Sequence, residues 1–148
     1  MSPEENTATA RRYLDEAWNR GNLAILDEVF AADYVFHDGA GRMVRDIEIN
    51  KRNISAWRTA YPDFHMMVED AFAGGDKVAI RWTIHFTHQG ESKNIPMEML
   101  RNVPPTGRQV RFVGMDIYYF RGGKIVEAWR TWDRLGLLQQ VGVVPTPG

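Results

Sequence analysis

Two runs near the end of the chain decide how it is read: Arg111-Phe112-Val113-Gly114-Met115-Asp116-Ile117-Tyr118-Tyr119-Phe120 and, after Arg121-Gly122-Gly123, Lys124-Ile125-Val126-Glu127-Ala128-Trp129-Arg130-Thr131-Trp132-Asp133. Both are strands, and side chains alternate faces along a strand. One face of the first therefore carries Phe112, Gly114, Asp116, Tyr118 and Phe120. One face of the second carries Val126, Ala128, Arg130 and Trp132. A three-residue Gly122-Gly123-Lys124 loop sets the register that places Asp116 opposite Arg130 on an otherwise apolar wall. A carboxylate, a phenol and a guanidinium inside an aromatic enclosure make a small-molecule site.

Upstream, Lys77 to His88 alternates Val78, Ile80, Trp82, Ile84 and Phe86 against Ala79, Arg81, Thr83, His85 and Thr87, a further long strand. Phe64 to Ala73 precedes it across a Gly74-Gly75-Asp76 turn. A long connection rich in Met, Asn and Pro runs from Gln89 to Arg108. Helices dominate the first part. Ala10, Tyr13, Leu14, Ala17 and Trp18 form a stripe at helical spacing that Gly21 ends. Asn22 caps a second helix, Leu23 to Phe30. Asp33 to His37 is a brief strand before the turn-rich Asp38-Gly39-Ala40-Gly41. Asp46 caps a third helix reaching Ala60, ended by Tyr61-Pro62-Asp63. A last helical turn runs from about Asp133 through Gln140. Helices followed by antiparallel hairpins are an α+β pattern. The expectation is one domain over residues 1–148, a cone-shaped, curved antiparallel or mixed sheet packed over three N-terminal helices, its open mouth the pocket.

Composition narrows the function. A net charge of −1 lacks the basic footprint of nucleic-acid binding. With no cysteine there is no disulfide, thiol catalysis or Cys-ligated metal. His85 and His88 point to opposite faces of a strand and cannot share an ion, so no metal is expected. No apolar run has the length of a membrane span, and Met1-Ser2-Pro3-Glu4-Glu5 lacks the basic and apolar regions of a signal peptide. The expectation is a soluble, cytoplasmic protein.

Several motifs are familiar in their order: Tyr61-Pro62-Asp63-Phe64-His65, Gly75-Asp76-Lys77-Val78-Ala79-Ile80-Arg81-Trp82-Thr83, Pro104-Pro105-Thr106-Gly107-Arg108, Gly123-Lys124-Ile125-Val126-Glu127 and Trp132-Asp133-Arg134-Leu135-Gly136-Leu137-Leu138-Gln139-Gln140. Together they resemble the SnoaL-like polyketide cyclase (ester cyclase) family, within the nuclear transport factor 2-like superfamily of α+β cones. The resemblance implies a cofactor-independent pocket enzyme. It also marks two departures. The last-strand aspartate that shuttles a proton in the family cyclases falls on Arg130, and the family's glutamine and histidine partners fall on Asp116 and Tyr118. The stretch from Ser92 to Asn102 reads as an insertion whose Met97, Met99 and Leu100 form a lid or a dimer contact.

The candidate catalytic residues follow. Asp116 is an oriented base, Arg130 an anion stabiliser that cannot give up its proton, Tyr118 a donor to a substrate oxygen, and His37 an auxiliary acid or base. Trp18, Trp57, Tyr61, Phe64, Trp82, Phe112 and Trp132 are candidates for an aromatic lining. The reaction class expected is acid/base chemistry (cyclisation, isomerisation, hydration or dehydration) on a small, apolar, oxygenated metabolite. Epoxide hydrolysis is the alternative, since another branch of the superfamily sets an arginine among aspartates; only one aspartate is visible in this face. A non-catalytic ligand binder and a protein-interaction module are further alternatives. Arg81, His85, Glu127, Trp129 and Thr131 fall on the outer sheet face. There an Arg81–Glu127 pair beside Trp129 suits a homodimer interface, as the superfamily resemblance implies.

Overall fold

The computed structural model describes residues 1–39 and 41–147. Its elements are α1 (Pro3–Tyr13), continued by a π-helical segment (Leu14–Asn19), α2 (Ile25–Val29), β1 (Phe30–His37), β2 (Met43–Val44), α3 (Ile47–Ala60), β3 (His65–Gly74), β4 (Lys77–Thr87), α4 (Glu98–Arg101), β5 (Gln109–Arg121), β6 (Lys124–Trp132) and α5 (Arg134–Gln140). The strands make one six-stranded sheet in the order β2-β1-β6-β5-β4-β3. β1 and β6 run parallel, and every other pair is antiparallel. This is the expected α+β architecture, a curved mixed sheet with helices against it.

Local chemistry explains where the helices start. Ser2 and Glu5 close a reciprocal capping box around Pro3, so α1 begins well before its apolar stripe does. Asp46 caps α3 by accepting from the Glu48 amide at 2.9 Å. The second helix is shorter than expected. The Asn22 side chain donates to Glu16 at 3.0 Å instead of capping, and the chain turns extended at Phe30. β1 accordingly starts at Phe30 rather than Asp33.

The β5–β6 hairpin reaches the expected register by a different route. Arg121 pairs with Lys124, so the turn is the two residues Gly122 and Gly123, with φ of +57° and +79°. A bulge at Val126 then adds one residue to β6, restoring the pairing of Asp116 with Arg130. Its consequence is a correction: Ile125 is fully buried, and Val126, only partly buried, does not share the inner face with Ala128.

β4 is as alternation predicts, with Val78, Ile80, Trp82, Ile84 and Phe86 all buried. Beside Trp82 on β5 stands Gly114, itself flanked on β6 by Trp132. A Cβ at Gly114 would stand 2.3 Å from the Trp82 ring, so only glycine lets that indole lie against the strand. The connection after β4 is pinned at its exit by His88, whose main chain bonds Arg108 and Gly107 and whose Nδ1 meets Thr106 at 2.9 Å. Within it Ile95 and Leu100 are fully buried, while Met99 is exposed.

Candidate active site

The cavity lies between the inner face of the sheet and the helices. Its aromatic wall is Trp18, Phe36, Trp57, Phe64, Trp82, Phe112 and Trp132. Helix α3 contributes Asn50, Asn53, Ile54 and Trp57, which its periodicity puts on one face. Pro96 reaches the lining from the long connection, held there by Arg42 Nη1 donating to its carbonyl at 3.1 Å. Trp18 comes from the π-helical segment, whose i→i+5 spacing keeps Tyr13 and Trp18 on the same side. That segment is anchored twice. Arg58 donates to the Trp18 and Asn19 carbonyls at 2.8 Å each, and the Asn19 amide bonds both main-chain groups of Met66.

Arg130 is the charged group of the inner wall. Its Nε donates to Asp116 Oδ1 at 2.9 Å and its Nη2 to Oδ2 at 2.8 Å, a side-on bidentate pair. Tyr118 donates its hydroxyl to the same Oδ2. The guanidinium carbon lies 5.2 Å from the Phe36 ring and 5.4 Å from those of Trp18 and Trp82, so three aromatic rings surround it. Burial alone would lower Arg130, but Asp116 more than reverses this and holds it well above its ordinary value. Burial, reinforced by the Asp116 charge, pushes Tyr118 well up. Tyr118 is therefore a neutral phenol that serves as a donor. Burial also raises Tyr13, against the pull of Arg130.

Asp116 and Tyr118 do not reach the cavity. The Asp116 side chain has no exposed surface, and Arg130 stands between it and the space that a ligand would occupy. Both carboxylate oxygens are already engaged. The carboxyl group that lines the cavity is Asp38, just past the end of β1. Burial raises its pKa, partly offset by Arg130, Arg134 and Arg42. Arg134, the first residue of α5, donates Nη2 to the Asp38 carbonyl at 2.8 Å and stands 4.6 Å over the Trp132 ring. Burial lowers its pKa, with Asp38 opposing.

Two further candidate residues, His37 and Tyr61, also fall outside the cavity. His37 pairs with Trp129 across the β1–β6 ladder and stacks on its ring at 3.6 Å, while Nε2 meets Glu127 at 2.9 Å. It belongs to the outer face, and Glu127 thus pairs with His37 rather than Arg81. Tyr61 is a core residue, fully buried, 2.5 Å from the Ser92 hydroxyl and stacked on Phe86. Asp38, Arg134, Tyr13, Asn50 and Asn53 were not expected in the site. Strand parity holds the signal for the first: Tyr34 and Phe36 are buried inward, so the next inward position is Asp38, not His37.

Comparisons agree with this architecture. The chain matches the SnoaL-like polyketide cyclase family over residues 8–141. Among solved structures it is similar to IdmH, a candidate polyketide cyclase of Streptomyces antibioticus, at 30% identity and a TM-score of 0.72, covering 97% of this chain and 100% of that one. It is similar to a candidate polyketide cyclase from Acidithiobacillus ferrooxidans at 30% identity and a TM-score of 0.73, covering 95% and 97%. AclR, a candidate hydroxylase from Streptomyces galilaeus, aligns at 27% identity and a TM-score of 0.80, covering 99% and 87%. An LEH-like epoxide hydrolase from M. tuberculosis shares the fold at 12% identity and a TM-score of 0.68, covering 94% and 90%. No curated protein matches the sequence. Family match and cavity architecture together place this chain in the SnoaL-like polyketide cyclase family.

Proposed function

We propose that this protein is a cofactor-independent acid/base enzyme that moves a proton on a ring-bearing, enolisable substrate, with Asp38 as the proton-transfer group. One observation carries the reading: the carboxyl that burial pushes up lines the cavity beside two guanidinium groups, whereas Asp116 is sealed behind Arg130. A carboxylate with a raised pKa is a better base at neutral pH than an ordinary one. Arg130 presents its remaining N–H groups to an oxygen on which negative charge develops, and Asp116 and Tyr118 hold its plane. Asp116 and Tyr118 are then positioning residues. The aromatic wall keeps water from the enolate.

The test is hydrogen–deuterium exchange at the α-carbon of 1-tetralone in heavy water, followed by NMR. Exchange above the buffer rate is expected, falling by about 10²–10⁴-fold in Asp38→Asn, the usual contribution of a positioned base. Exchange that is unchanged in Asp38→Asn refutes the assignment. A second reading is favoured by Arg130 having Asp116 against it and Asp38 nearby: water attack on an epoxide, as the superfamily resemblance suggests. Diol formed from styrene oxide, dependent on Asp38, would support that chemistry over enolisation.

A further inference from the structure

One guanidinium in this cavity has no part in proton transfer. Arg134 lines the wall beside Asp38, fixed by its bond to the Asp38 carbonyl and by its stack on Trp132. The loop lies close against it. A Cβ at Gly39 would stand 2.8 Å from Arg134 Nη1, and the Gly39 φ of +70° is one that glycine alone adopts readily. The two arginines differ in their charge balance. Arg130 is neutralised side-on by Asp116, but among the described residues no carboxylate stands at ion-pair distance from Arg134.

The remaining polar inventory of the wall is rich in donors. Trp18 and Trp82 line the cavity, are buried, and have indole N–H groups with no acceptor among the described residues. Asp38 is the one acidic group among the described lining residues. Asp38 offsets the charge of Arg134 only at longer range; a partly buried guanidinium with no carboxylate in direct contact is unfavourable, and a ligand carboxylate relieves that cost while fitting the planar fork of N–H donors. One guanidinium without a direct carboxylate partner suits a single negative charge.

We infer that the substrate is a free organic acid, a planar ring system bearing one carboxylate, and that Arg134 is the residue that receives this carboxylate. The inference rests on the acid/base reading for which part of the substrate reacts: Arg134 holds the carboxylate, and Asp38, bonded to it through its carbonyl, faces the neighbouring part of the ring. A neutral ester of the same ring would lack the charge that Arg134 is placed to meet.

Isothermal titration calorimetry of the full chain with 2-naphthoate and methyl 2-naphthoate tests this. Naphthoate should bind about tenfold or more tighter than its ester, the scale of one charge-assisted contact. Arg134→Gln should erase the preference by weakening naphthoate alone. Arg134→Lys, which keeps the charge but loses the fork and the stack, should fall between them, and thermal melts confirm that both variants fold. Equal affinity for acid and ester, no measurable naphthoate binding, or a preference that survives Arg134→Gln overturns the inference. The two readings fail separately. If exchange depends on Asp38 while acid and ester bind alike, only the substrate class is wrong. If naphthoate is preferred while Asp38→Asn leaves exchange untouched, only the acid/base reading is wrong.

Discussion

Arg130 and Asp116 illustrate how a pair of charges can be costly to break yet dispensable as a pair. Neither has more than a trace of exposed side chain, at 8% and 0%. Arg130→Met strands a buried carboxylate, and urea denaturation should show a loss of about 3–5 kcal/mol. The double variant Arg130→Met/Asp116→Leu should recover much of that stability while leaving the cavity without its inner cation; a double variant as unstable as the single would contradict this account. Asp38 titrates differently. Its neutral form is favoured by burial, so the native state holds this proton to a higher pH than the unfolded chain. Its contribution to stability is present at low pH and fades as pH rises through the raised pKa. Its contribution to rate runs the other way. As a base it must be ionised, so exchange should fall on acidification with a midpoint above the ordinary aspartate value near 3.9, and a pH–rate profile checks it.

At the scale of elements, close approach sets the shape of the inner wall. Gly114 gives up a side chain so that Trp82 can lie flat beside Trp132. Gly114→Ala should cost about 1–3 kcal/mol through overpacking and alter the tryptophan fluorescence, read by denaturation and emission spectra. The strands and α3 were legible because alternation, glycine turns and the Asp46 cap all act locally. The bulge at Val126 was not, because a two-residue turn with a bulge and a three-residue turn without one give the same pairing beyond it. The aromatic lining was largely legible, Tyr61 excepted. The cavity's carboxyl lies one position beyond the auxiliary candidate His37, because the inward parity fixed by Phe36 selects Asp38. Arg134 could not be paired with Asp38 from sequence at all, since their contact depends on how β1 lies against the end of β6.

The whole molecule has two differently made faces. Inside, polar groups are few and enclosed. Outside, Val113, Met115 and Ile117 follow one another along β5 with exposures of 47%, 55% and 43%, and Trp129 adjoins them on β6 at 48%. A contiguous apolar patch on a sheet face is the kind of surface that a second copy covers. Sedimentation should find a dimer that Met115→Glu converts to monomer without loss of fold; a wild-type monomer at all concentrations would remove that role. The parallel joining of β1 to β6 adds a consequence in time. Asp38 meets Arg134 across 96 residues, and His37 meets Glu127 across 90. Contacts so distant along the chain close late in folding. While β6 and α5 are still inside the ribosome, β1 has no parallel neighbour and Asp38 has neither Arg130 nor Arg134 beside it. The growing chain thus carries Asp38 for most of its synthesis as a solvated carboxylate, and encloses it only in the last moments, when the two arginines emerge and dock.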